Sequence, residues 1–244
     1  MILPNVRMSF GRNEARWLVL LLGDGDAPGQ RHWEEVLADE GIDALLDDPR
    51  AADVVLRHRG LLLAPPRLVL YVLIRRAFLE RGLESRMLAD YTTALVFEFG
   101  KRDRSYRIAD HDEKEYRYLV DVLADLADAN GRRAFLLRAH LGNFALWLSG
   151  LFPDYIVARV HRIGGPGLDY YEEMGRTGFR LAAGDPHADD RSLGGLYENA
   201  AEAFPSVRRA LNLFSDRNLF PIPSSPVDRF LRQTADGFDL AHPE

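Results

Sequence analysis

The chain contains no cysteine, which excludes disulfides, thiolate metal sites and a cysteine nucleophile. Lysine is nearly absent too: Lys101 and Lys114 are the only two among 31 basic residues. With abundant Ala, Leu, Gly and Asp, that bias reads as GC-rich bacterial coding. There is no excess of positive charge. The formal net charge is −6, which disfavours nucleic acid as a partner held by a broad basic surface. Long apolar runs are missing as well. Residues 18–22 and 69–74 are the longest, far below the roughly 18–20 residues that cross a bilayer. The N-terminal MILPNVRMSFGRNEARW lacks the basic-then-apolar order of a secretory signal, so the expectation is a soluble, cytoplasmic chain with no membrane partner. G-x-S-x-G, H-E-x-x-H and the phosphate-binding G-x-x-x-x-G-K are all absent. An enzyme built on this chain would assemble its site from dispersed residues.

What is present is helical patterning. Between Gly131 and Pro153 the sequence GRRAFLLRAHLGNFALWLSGLFP is apolar nearly all round, the mark of a helix buried on more than one side. At about 100° per residue His140, Asn143 and Trp147 share a face with Leu136, Phe144 and Leu151, while Arg138, Gly142, Ala145 and Ser149 fall opposite. The second face is small enough for another backbone to approach closely. Residues 168–183 carry a matching stripe, Gly175, Gly178 and Ala182, and the two stripes are expected to pack together. Glu173 is the expected partner of Arg138.

Elsewhere, helices are expected over 13–22, in short pieces over 30–40, 42–46 and 50–59, and over 65–81 and 85–99. The clearest amphipathic helix is expected over 112–129, and the last two over 196–204 and 205–220. Residues 155–160 (YIVARV) fit strand or helix. From Pro221 to Glu244 there are four prolines and little periodicity, which reads as an extended arm or tail. The expected fold is mostly α: a single-domain bundle of about nine helices around the central helix at 132–152. An N-terminal segment 1–60, a core 61–220 and the arm 221–244 divide it.

Four clusters offer chemistry. Asp24, Asp26, Gly29 and Glu35 occupy positions one, three, six and twelve of an EF-hand-like loop, but Pro28 and Arg31 break the pattern, and a polar inter-helix turn is the better reading. The same stretch misses the dinucleotide G-x-G-x-x-G by one residue. Asp185, His187, Asp189 and Asp190 bring hard oxygens and an imidazole into one loop, a candidate metal site on Asp185, His187 and Asp189. Asp110–Glu113 is better explained as helix capping. His140, Asn143 and Trp147, with Tyr171 from the 168–183 helix, form a candidate ligand site, against the blander alternative of a satisfied core histidine. Arg75–Arg76, Lys101–Arg104 and Arg208–Arg209 read as scattered solvated charge.

The leading functional expectation is therefore a non-catalytic helical protein acting through protein–protein contacts, as a homo-oligomer. A helical small-molecule sensor with its pocket at His140, Asn143 and Trp147 is the alternative. A metal-dependent enzyme ranks below both, and no cofactor is expected.

Overall fold

The computed structural model describes residues 1–58, 64–109, 111–189 and 192–241. It is 75% helical, with fourteen α-helices and no strand among the described residues, the mostly α fold that the periodicities imply. Contacts divide it into two compact units: Ile2–Glu98, and Met1 with the chain from Phe99 onward. The boundary expected at residue 60 lies in 59–63, outside the described residues.

In the first unit the helices are short because their start and stop signals are closely spaced. α1 (Arg12–Leu22) opens where Glu14 Oε2 accepts the Gly11 amide at 2.8 Å. Asp26 caps α2 (Ala27–Glu40) by accepting the Gly29 amide at 3.3 Å. The loop with EF-hand-like spacing is thus a polar turn between two helices whose Asp26 starts the second. α3 (Ile42–Asp47) and α4 (Ala51–Arg57) follow. α5 (Pro66–Glu80) begins with Pro at its first turn, and α6 (Arg86–Phe99) carries the chain to the second unit. Leu18, Leu45, Val55, Leu68 and Phe78 are buried in this core. Arg75 is buried with them and is not solvated charge. It binds Asp47 with two donors, at 2.6 and 3.0 Å, and Nη1 donates to the Leu83 and Glu84 carbonyls. Burial works against the Asp47 charge, yet Arg75 and Arg86 hold its carboxyl below the ordinary range.

The second unit is built on the expected central helix. α7 is Leu119–Asp128, seven residues shorter at its start than the amphipathic pattern from 112 suggests. The reason is local. Asp112 Oδ1 turns back to accept the Lys114 amide, the Tyr116 amide donates to the Tyr106 carbonyl at 2.7 Å, and the buried Tyr116 hydroxyl pairs with Asp125. These bonds hold 112–118 non-helical, and Asp121 Oδ2 then accepts the Tyr118 amide to start the helix.

α8 (Gly131–Leu151) is buried on both sides, and α9 (Pro153–Ile163) resolves the ambiguous 155–160 as helix. α10 (Leu168–Ala183) lies along α8. A Cβ built on Gly178 would stand 2.6 Å from the Gly142 amide nitrogen and 2.9 Å from the Arg138 carbonyl, and one on Gly175 would stand 3.1 Å from Ala145 Cβ. The small stripes meet, as expected, at Gly142 and Ala145. Ser149 instead faces the next contact. After α11 (Pro186–Asp189) and α12 (Gly194–Glu202), α13 (Phe204–Phe214) continues into a π-helical turn, Ser215–Leu219. From α13 the Asn212 amide donates to the Ser149 and Gly150 carbonyls at 2.8 Å, and the Ser215 hydroxyl to Leu151 at 2.7 Å. The otherwise unpaired last carbonyls of α8 are thereby satisfied in the interior.

The C-terminal stretch is not extended. Pro226–Ala241 forms α14, with Pro226 at its first position and the Ser225 hydroxyl accepting the Asp228 amide. The apolar pattern hides it because the helix docks through charge. Arg229 and Arg232 are buried and share Asp154 and Asp216, while Asp236 pairs with Arg208 at 2.8 Å. Arg208 also binds Glu172 and Asn212, so this residue too is buried and paired. Val227, Phe230 and Leu231 point outward, 67%, 66% and 59% exposed.

Candidate functional site

At 3.6 residues per turn Phe144, Trp147 and Leu148 emerge on one face of α8, and they floor a cavity of about 770 Å³ within the second unit. Pro153 stops α8 and starts α9 at once, so Phe152 turns toward the same space, with Tyr155 and Arg159 one turn apart above it. Gly164, at φ +63°, ends α9 in the left-handed conformation. The chain then returns through Pro166 to place Tyr170 and Tyr171 at the first turn of α10. The opposite wall is the turn Arg104–Tyr106 and the entrance to α7 at 117–120. The bond between the Tyr116 amide and the Tyr106 carbonyl holds the two parts of that wall together.

Eight of the fifteen lining residues are aromatic and none is acidic. Trp147 and Phe152 meet edge to face at 5.6 Å, a preferred aromatic geometry. Two arginines supply the charge. The Arg117 guanidinium lies 5.5 Å over the Tyr106 ring and pairs with Glu115 at 3.2 Å. The Arg159 guanidinium spans the walls, 5.5 Å from the Tyr118 ring and 5.7 Å from that of Tyr155. Its one hydrogen bond among the described residues is a long one, 3.4 Å to the Tyr155 hydroxyl. Burial pushes the Tyr171 hydroxyl pKa up, so it stays a neutral donor and acceptor near neutral pH.

The expected ligand residues divide. Trp147 and Tyr171 line the cavity; His140 and Asn143 do not. His140 is only 3% exposed. It stacks on the far side of Phe144, ring centres 5.7 Å apart, and is flanked by Phe99 and Tyr116 at 5.8 Å each. Its Nε2 has no hydrogen-bond partner among the described residues. Burial above all, with the nearby Arg104 charge, pushes its pKa down to about 3, so the ring is neutral at ordinary pH. It acts as aromatic packing behind the floor of the cavity.

The acidic loop is occupied by internal bonds. Asp185 Oδ1 accepts the His187 amide at 3.0 Å and lies 2.8 Å from His187 Nδ1, while Oδ2 takes Arg138 Nη1 at 2.5 Å. Arg138 therefore pairs with Asp185 and not with Glu173. Burial opposes the Asp185 charge, yet the His187 bonds and Arg138 together hold its carboxyl below the ordinary range. Asp189 is exposed, and Asp110 and Asp190 lie outside the described residues. Among the described residues no group of three or more His, Asp or Glu stands in a position to share a metal ion.

Sequence reasoning did not single out Arg159, Tyr155 or Tyr118. The signal available was the Tyr155/Arg159 spacing of four on a segment that fitted strand as well as helix. No protein-family model, curated protein or solved structure matches this chain, so the functional reading rests on the geometry alone.

Proposed function

We propose that this chain is a small-molecule-binding protein and that the aromatic cavity between α7, α8, α9 and α10 is its site. The observation that carries the reading is a concavity of about 770 Å³, within the roughly 300–1,000 Å³ of small-molecule sites, lined mostly by rings and a few polar groups. The test is binding of N-phenyl-1-naphthylamine, a neutral dye that brightens in apolar sites, to the full chain. Saturable 1:1 binding that Leu148→Trp abolishes supports the reading, since the added ring fills the floor. Absence of saturable binding, or binding unaffected by Leu148→Trp, refutes it.

A second reading, self-association, is favoured by α14, whose apolar residues Val227, Phe230 and Leu231 face outward while arginines face inward. Soluble monomers rarely expose contiguous apolar patches larger than a few hundred Å², and three large apolar side chains spaced i, i+3, i+4 lie on one helix face. Sedimentation would report a dimer that Phe230→Glu dissociates. A wild-type monomer at tens of micromolar would end this reading.

A further inference from the structure

We infer that the ligand of the aromatic cavity is a planar aromatic anion, with its acidic head group bound by the Arg159 guanidinium and its ring body against Trp147 and Phe152. The inference rests on the cavity being the binding site, and it follows from eliminating the other charge classes.

A cationic ligand is poorly served. Aromatic walls attract cations through their ring faces, but here arginines already lie over three of the eight rings, Arg159 over Tyr118 and Tyr155 and Arg117 over Tyr106, and their positive charge opposes a second cation at the rest. Glu115 pairs with Arg117, but among the described residues no carboxylate lines the cavity or pairs with Arg159, so a second cation would meet repulsion there and find no counter-charge. A neutral apolar ligand is served only in part. Filling the cavity would strip water from the Arg159 guanidinium, whose sole hydrogen-bond partner among the described residues is the Tyr155 hydroxyl at 3.4 Å, and burying a charge without an ion-pair partner is costly. An anion removes that cost. A carboxylate or sulfonate accepts two parallel N–H bonds from the planar guanidinium, and apart from the long bond to Tyr155 the Arg159 donors have no partner among the described residues. Arg117 is the lesser candidate because Glu115 already holds it. The ring body follows from the floor, where Phe144, Trp147 and Phe152 offer flat and edge surfaces suited to stacking.

Two dyes that differ by one sulfonate provide the test: 1-anilinonaphthalene-8-sulfonate and the neutral N-phenyl-1-naphthylamine, titrated into the full chain by fluorescence. The wild type is expected to bind the sulfonate about tenfold more tightly than the neutral dye, the range of a charge-assisted bidentate contact. Arg159→Gln is expected to remove that preference while leaving the neutral dye's affinity within about twofold. Arg159→Lys keeps the charge without the planar fork and should fall between, and added salt should weaken only the sulfonate. Equal affinities in the wild type, or a sulfonate preference that survives Arg159→Gln, would overturn the anion inference while the neutral dye's sensitivity to Leu148→Trp still upholds the cavity. Failure of both dyes to bind would overturn the two readings together.

Discussion

Gly178→Ala tests the contact on which the second unit is built. The added methyl would sit 2.6 Å from the Gly142 amide nitrogen, 2.9 Å from the Arg138 carbonyl and 3.0 Å from Leu141 Cβ. Ordinary contact needs about 3.4 Å or more, and two of the three obstacles are backbone, which no rotamer change can move. α10 and α8 must therefore separate by roughly 0.5–1 Å, loosening the apolar contacts along their length. Overpacking of this kind costs about 1–3 kcal/mol. Alanine returns up to about 1 kcal/mol of helix propensity, which leaves a net loss of up to about 2 kcal/mol. For a chain of this size the melting temperature should fall by up to about 8 °C. Gly195→Ala is the control: it lies in the first turn of α12 with nothing within 4 Å of its added Cβ, and should be neutral or stabilising by up to about 1 kcal/mol. Both variants are compared by differential scanning calorimetry. A Gly178→Ala protein as stable as the Gly195→Ala control would refute the close approach of the two helices.

His140 carries a pH signature. Its folded pKa lies below the ordinary 6.5, at about 3, so its contribution is intact above pH 6.5 and is lost as pH falls toward 3. In urea unfolding, the stability advantage of wild type over His140→Gln should shrink by about 2 kcal/mol between pH 7 and pH 5; a gap independent of pH would contradict the burial argument. Asp154→Asn removes a carboxylate that Arg229 and Arg232 share. With Asp216 still present, it should weaken the docking of α14 by about 2 kcal/mol, read as faster proteolysis near residues 221–225, and an unchanged cleavage rate would contradict it. In a double-mutant cycle Arg138→Gln and Asp185→Asn should couple by about 1 kcal/mol, given the partial exposure of Arg138, whereas Arg138→Gln and Glu173→Gln should show no coupling.

Where burial is apolar, the sequence pattern carried the architecture. The central helix, its partner at 168–183 and the Gly178–Gly142 contact all follow from ring and methyl sizes at helical spacing. Where burial is polar, the pattern misled. Arg75 and Arg208 read as solvated charge because hydrophobic periodicity cannot see an arginine whose carboxylate lies 28 residues away at Asp47 or 36 away at Glu172. α14 vanished for the same reason, since its inward residues are Arg229, Arg232 and Asp236. Within the candidate site, Trp147 and Tyr171 were legible as large rings on core helices. His140 and Asn143 share the Trp147 face on a helical wheel, but both are buried away from the cavity, His140 stacked behind Phe144, and a wheel has no depth coordinate. Arg159 went unnoticed because its significance comes from Tyr118, 41 residues earlier in the chain, which no local periodicity brings beside it.

The capping of α8 by Asn212 and Ser215 has a consequence for a chain made from its N-terminus onward. The carbonyls of Ser149, Gly150 and Leu151 find their partners 62–64 residues later. At a synthesis rate of roughly 5–20 residues per second, that delay is roughly 3–13 s. For that interval the last turn of the central helix has only water to bond, and its apolar flanks have no α13 to cover them. The second unit is thus completed from its far end, and a nascent chain halted before residue 212 would carry its own central helix with an unfinished terminus.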